Sequence, residues 1–346
     1  MRTPPALPKH QHGALLILLV IALGILAAAV FVGMLSSSGI QNQRDKTTAA
    51  ALAEAKTALI GYALANQNTP GGLPYPDRAA DGNYDGHGDC VTNTTIPFNN
   101  GLLLGKFPTL VEDGCTIPPG IPAFETDPRD AAAERVWYAV SQNLLKSADS
   151  SGGNTSGGYF PKINTTTLAT PQNWLTVRDQ NGNILSNQVA LIIIAPGVAL
   201  ANQNRAGATP TAQNFLDSYT VNGTTYKNWD SNLDFVSAPP INSTTNQFND
   251  RLLYVTTSEL ANRLVDRVAG EIRIRLPHPY PVTAAFDTSS YPGWYNNNWT
   301  SITNNHYSQT DSDHAAISFD NCASIFTFTW NASTNSTDIT RSPKQC

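Results

Sequence analysis

Residues 14–35 read ALLILLVIALGILAAAVFVGML, about 22 residues without a charge. No other segment constrains the chain so strongly. As a helix rising roughly 1.5 Å per residue it would extend about 33 Å, enough to cross a hydrocarbon core of about 30 Å. Arg2, Lys9, His10 and His12 precede it with no acidic residue among them, and Arg44, Asp45 and Lys46 are the first charges after it. Basic flanks stay on the cytoplasmic side of a membrane segment, so residues 1–13 form a cytoplasmic leader and the rest lies beyond the membrane. Two alternatives remain open. One is a secretory signal cut near Ala27-Ala28-Ala29, although the apolar run continues through Val30, Phe31, Val32, Met34 and Leu35. The other is an uncleaved signal anchor.

The helical pattern resumes beyond this run. Thr47–Ala65 reads TTAAALAEAKTALIGYALA, rich in the best helix former. Leu52, Ala55, Leu59, Tyr62 and Ala63 fall on one stripe, with Glu54, Lys56 and Thr57 off it. Residues 36–66 are therefore expected as an amphipathic stem, stopped by Asn66–Pro76 (NQNTPGGLPYP). Asp127-Pro128 predicts a helix start, with Val136, Trp137, Val140 and Leu144 on one face through about Lys146. Gln180-Asn181-Gly182-Asn183 between Trp174–Arg178 and Ile184–Leu185 predicts a hairpin. Gln188–Ala195 reads as a buried strand, Leu252–Thr256 as another, and Ser258 as the cap of a helix through about Leu276 with Leu260, Leu264, Val268 and Ile272 buried. Ile317–Phe319 and Ser324–Trp330 read as strands. Strands and helices mix without βαβ alternation. The expected class is α+β: a long N-terminal helix, membrane half plus amphipathic half, packed on a head of mixed strands, helices and long loops. The head spans 67–276, followed by an aromatic, strand-rich region at 277–346.

Only 14% of the residues are charged, against about 25% in an ordinary domain. The net charge is −5 without a basic tract, which argues against nucleic acid as a partner. The four cysteines, Cys90, Cys115, Cys322 and Cys346, all follow the apolar segment. They contain no C-x-x-C pair and on the non-cytoplasmic side favour disulfides. Of three possible pairings, Cys90–Cys115 and Cys322–Cys346 each close a local loop of about 25 residues, worth roughly 3 kcal/mol; free buried thiols are the alternative.

A short basic leader ending in Gly13, followed at once by Ala14-Leu15-Leu16-Ile17-Leu18, resembles type IV prepilins and type II secretion pseudopilins. The resemblance implies processing by a prepilin peptidase between Gly13 and Ala14. It also implies assembly with other pilin or pseudopilin subunits through the N-terminal helix. The chain would be a single-pass protein of a bacterial inner membrane, its N-terminus cytoplasmic before processing and its head periplasmic or in an extracellular filament. Leu18 stands where most members carry Glu, which points to a minor subunit. The phrases ALIGYALA (58–65), GGLPYPD (71–77), ERVWYAVS (134–141), ALIIIAPG (190–197), NQNR (202–205) and NDRLLYVT (249–256) resemble a bacterial family of pilin-like proteins with long heads, with Tyr75 where Cys is expected. A membrane-anchored periplasmic binding protein or adhesin that never enters a filament is the second reading.

The sharpest local motif is Asp81-Gly82-Asn83-Tyr84-Asp85-Gly86-His87-Gly88-Asp89, which fits the first half of a calcium loop. Oxygens of Asp81, Asn83, Asp85 and Asp89 with the carbonyl of His87 would face a hard cation, and Asp77 or a backbone carbonyl would complete the shell, since position twelve is Thr92 and not Glu. A turn with no metal is the alternative reading. The histidines lack metal-binding spacing, Gly-x-Ser-x-Gly and P-loop motifs are absent, and nothing positive indicates an enzyme. Tyr291, Trp294, Tyr295, Trp299 and Tyr307, set among amides and hydroxyls, are either a binding face or core packing.

Overall fold

The computed structural model describes residues 12–66, 69–79, 83–89, 103–110, 124–145, 162–171, 173–206, 210–230, 233–242, 247–283, 299 and 306–346. The chain divides into two compact units, Met1–Thr48 and Ala49–Cys346. Helix α1 runs from His12 to Ala65. In the second unit its Ala-rich end buries Ala51, Leu52, Ala55, Leu59 and Ala63 in the core. The stop is local chemistry. Asn66 accepts the amide of Thr69 at 2.9 Å on its side chain. Gly71 donates to the carbonyl of Ala63 at 2.8 Å with a φ of 98°. A Cβ there would meet Ile163 at 2.6 Å, so glycine is required twice over, by conformation and by space.

The main sheet runs β1 (Leu104–Lys106), β2 (Trp137–Val140), β4 (Ile184–Ala195), β3 (Leu175–Arg178), β7 (Asp234–Val236), with β10 (Arg251–Thr256) also paired to β4. The β3–β7 pair is parallel and the others antiparallel. Its two faces bury separate clusters. On one lie Val136, Tyr138 and Val140 with α1 and helix α3 (Thr257–Arg275). On the other lie Trp137 and Ala139 with Phe215, Leu216 and Phe235. A bulge at Ala190 sets the phase of β4: Val255 faces Leu191, but Thr256 faces Val189. Ala190 and Leu191 thus both enter the first cluster, and alternation resumes after them.

Helix α2 (Thr165–Ala169) and the hairpin β5 (Ser218–Val221) and β6 (Thr224–Lys227) complete the middle of the chain, with the short pair β8 (Ile241–Asn242) and β9 (Gln247–Phe248). A four-stranded antiparallel sheet follows: β11 (Tyr307–Asp311), β12 (His314–Ser318), β13 (Ile325–Asn331) and β14 (Ser336–Ser342). Its inward residues Ala315, Ile317, Phe326 and Phe328 join the core that contains α3. Arg341 of β14 fastens the two, donating to the side chains of Asp266 at 2.9 Å and Asn262 at 2.6 Å.

These observations correct several expectations. The class is predominantly β rather than α+β: fourteen described strands stand against four shorter helical segments beside α1, namely α2, α3 and two 3-10 turns at Gln142–Leu144 and Ala212–Asn214. The compact units divide within α1, after Thr48. Among the described residues no helix is long and apolar enough to cross a membrane. The expected transmembrane helix at 14–35 and the single-pass inner-membrane placement, with the pilin-type membrane layout built on them, are corrected accordingly. The helix expected after Asp127 is also replaced. Trp137–Val140 is a strand buried on both faces between β1 and β4.

Candidate functional site

Two regions carry features beyond packing. The first is the start of α1. Gly13 and Ala14, the expected processing residues, fall just after His12 in its first turn. Leu19, Val20, Ile21, Leu23, Ile25, Leu26 and Val30 are each more than half exposed. At 100° per residue these positions point all round the helix, so no single face of it is polar there. The same helix is fully buried at Ala55, Leu59 and Ala63. One end is thus part of a folded core, and the other presents apolar side chains that lie uncovered.

The second region is the loop at 83–89 with its neighbours. Asp77 is its pivot. Its Oδ2 accepts from the amide of Gly86 at 2.8 Å and from Arg135 Nη1 at 2.8 Å, and Arg135 also reaches Asp127 at 3.0 Å. Burial raises the Asp77 carboxyl to about 7 against the opposing pull of Arg135 and the Gly86 amide, with Asp89 and Asp85 adding to the rise. Asp85 Oδ1 accepts from the amide of His87 at 2.9 Å. The Asp89 carboxylate accepts the amide of Arg78, whose guanidinium returns to the Asp89 carbonyl at 2.7 Å. Gly86 has a φ of 102° and lies so close to Thr109 that a Cβ would meet its Oγ1 at 2.4 Å. The oxygens suit a hard cation chemically, yet the described carboxylates are turned onto amides and guanidinium groups. No group of three metal-ligating side chains occurs among the described residues. Asp81, the first expected ligand, lies outside the described residues.

Tyr84 of this loop packs edge-on to Trp137 at 5.6 Å and Phe215 at 6.5 Å, and the Lys106 ammonium sits over Tyr84 at 4.9 Å and Phe215 at 4.3 Å. Burial lowers the Lys106 amine and raises the Tyr84 phenol to about 12. Arg205 also lies over Phe215, 5.2 Å from the ring. Arg205 donates to the carbonyl of Gly197 at 2.8 Å and to the Gln203 side chain at 2.8 Å, and pairs with Glu134 at 3.2 Å. Asp130 accepts the amide of Gly197 at 2.8 Å, and Asn249 donates to the carbonyl of Val198 at 2.7 Å. The phrases ERVWYAVS, ALIIIAPG, NQNR and NDRLLYVT, far apart in sequence, therefore meet around one arginine. The sequence carries no local sign of this role for Arg205, because apart from Gln203, two positions away, the partners named here lie 8 and 71 positions away.

Cys322 and Cys346 form a disulfide across 24 residues, beside the start of α3, where Asn262 accepts the amide of Cys346 at 3.0 Å. Cys90 and Cys115 lie outside the described residues, as do Tyr291, Trp294 and Tyr295. Trp299 is buried in the core, edge-on to Phe319 at 5.6 Å, and Tyr307 donates to the carbonyl of Pro281 at 2.9 Å.

No family model, curated protein or solved structure matches the chain.

The two regions differ in what they can do. The polar network is committed inward: its carboxylates hold backbone amides and arginines, so it fixes the loops at one end of the sheet. The described apolar side chains between Leu19 and Val30 of α1 are exposed.

Proposed function

We propose that the chain is a non-catalytic assembly subunit that associates with other subunits through the N-terminal part of α1, in the manner of minor pilins and pseudopilins. The observation that carries this reading is the contrast within one helix. Leu59 is fully buried, whereas Leu19, Leu23 and Ile25 are 56%, 58% and 65% exposed. Burying a leucine or isoleucine side chain is worth about 1.5–3 kcal/mol, so several of them in one short stretch favour a covering partner strongly. An all-round apolar helix is covered best by several other helices packed about it. The proposal requires a helical partner and no bilayer-spanning segment. The polar, loop-rich head then serves as the presented part of the subunit.

Processing supplies the first test. In cells with an active prepilin peptidase, the mature chain should begin at Ala14 by N-terminal sequencing; an intact leader would remove the reading. Cross-linking supplies the second. L23C should give disulfide-linked or bismaleimide-linked multimers in the assembled state, and a wholly monomeric L23C chain would count against assembly through this segment.

A further inference from the structure

Asp217 and Asp250, 33 residues apart, hold each other's backbone. The Asp217 amide donates to Asp250 Oδ2 at 2.8 Å, and the Asp250 amide donates to Asp217 Oδ2 at 3.1 Å. The amide of Asn249 also donates to Asp217 Oδ2, at 2.6 Å, and Gln203 Nε2 donates to Asp217 Oδ1 at 2.8 Å. Asn228 extends the set. Its Nδ2 donates to Asp250 Oδ2 at 3.0 Å and to the carbonyl of Val236 at 3.2 Å, while its Oδ1 accepts the Val236 amide at 2.8 Å. The pair thereby ties the β5–β6 hairpin, β7 and the start of β10 into one unit.

One atom is left out. Asp250 is 1% exposed, and its Oδ1 is buried without a hydrogen-bond partner. A fully buried carboxylate with an unpaired oxygen is expensive as an anion and is relieved by a proton. Two carboxyl groups that share a buried site hold one proton more tightly than either would alone. Arg205 is a cation that acts on both and is itself paired with Glu134; Gln203, Asn228 and Asn249 are neutral.

We propose that Asp217 and Asp250 share a proton and act as an acid-closed clasp on the β5–β6 end of the head, which loosens when that proton is lost. Burial pushes Asp217 up to about 6 and Asp250 well above the ordinary 3.8, with the neighbouring Asp217 adding to the rise in Asp250. Both folded-state values lie above the unfolded one. The stabilisation is therefore complete below about pH 4 and disappears as pH rises through 6 and beyond. In chemical terms the opening step is release of one proton from the pair to solvent, with no bond other than O–H broken.

Hydrogen exchange of the full chain tests this locally, which separates the clasp from other titrating groups. After correction for intrinsic rates, amides in 215–230 and 247–252 should exchange about tenfold to a hundredfold faster at pH 8 than at pH 5, tenfold being one unit of pKa difference. D250N should exchange at similar corrected rates at both pH values. D217N, which removes the like charge, should move the pH at which protection is lost downward. Unchanged protection in the wild-type chain from pH 5 to 8 overturns the proposal, as does a D250N or D217N chain whose profile matches the wild type. Restoration of protection at pH 8 by calcium chloride would also overturn it, by showing that the pair holds a cation in place of a proton.

Discussion

Asp77 and Arg135 form an ion pair in which carboxylate Oδ2 lies 2.8 Å from guanidinium Nη1, with only 1% of the aspartate side chain and 14% of the arginine exposed. The pair joins segments 58 residues apart and carries the Gly86 amide on the same oxygen. D77A leaves the Gly86 amide without its acceptor and Arg135 with Asp127 alone, and is expected to cost about 1–3 kcal/mol in a urea unfolding experiment; R135A should cost a similar amount, since Asp77, already raised to about 7, takes up a proton when the guanidinium is gone. A loss below about 1 kcal/mol for both would show that the pair is solvated in solution.

The pH dependence follows from the same residue. Burial holds Asp77 at about 7 in the folded chain, against 3.8 for an ordinary aspartate. The folded state binds the proton that the unfolded state has released, so stability present at low pH is lost as pH rises through about 7. Unfolding free energy of the whole chain should fall between pH 5 and pH 8, and the fall should be shallower in D77N. A stability that rises over this window would contradict the assignment.

The two ends of α1 should respond oppositely to substitution. L59A removes a fully buried side chain and is expected to cost about 2–5 kcal/mol of stability while leaving assembly intact where the head remains folded. L23D, at a position 58% exposed, should leave head unfolding within about 0.5 kcal/mol of wild type and reduce multimer yield sharply. Denaturant unfolding and cross-linking, run on both variants, separate the two effects.

The Cys322–Cys346 disulfide closes a loop of 24 residues against α3. In the loop-entropy account C322S costs about 3 kcal/mol, and mild reduction should reproduce the loss. Equal thermal midpoints for oxidised and reduced chains would show that Arg341 and Asn262 hold this end unaided.

At the 83–89 loop the committed hydrogen bonds of Asp77, Asp85 and Asp89 predict no thermal shift with millimolar calcium and no sensitised terbium emission. A clear shift, abolished by D85N, would establish a cation site that includes Asp85.

What the sequence disclosed was local. The hairpin at Asn181-Gly182 was readable because its turn chemistry is contained in five residues: Asp179 accepts from the amides of Asn181 and Asn183, both at 2.8 Å, and Gly182 has a φ of 82°. Helix α3 was readable from Leu260, Leu264, Val268 and Ile272, all of them buried. Its cap is Thr256, which accepts the Glu259 amide at 3.1 Å, and not Ser258, whose hydroxyl donates to the carbonyl of Cys346. The strand at Trp137–Val140 was misread for a definite reason. Val136 and Val140 satisfy a helical repeat of four and a strand repeat of two equally, and only the distant strands β1 and β4 decide between them. The Asp217–Asp250 pair and the Arg205 hub gave no local signal, since each joins loops that the fold alone brings together.

Strand β4 is flanked by β2 and β3 and also by β10, which arrives more than fifty residues later. Until β10 is in place, Val189–Ala195 (VALIIIA) is an uncharged stretch rich in β-branched residues with an open edge. Such a segment pairs readily with its copy on another nascent chain. Synthesis therefore passes through an interval in which the centre of the future sheet is its most hazardous part, and the pace at which residues 196–256 emerge and close over it governs how much of the product escapes aggregation.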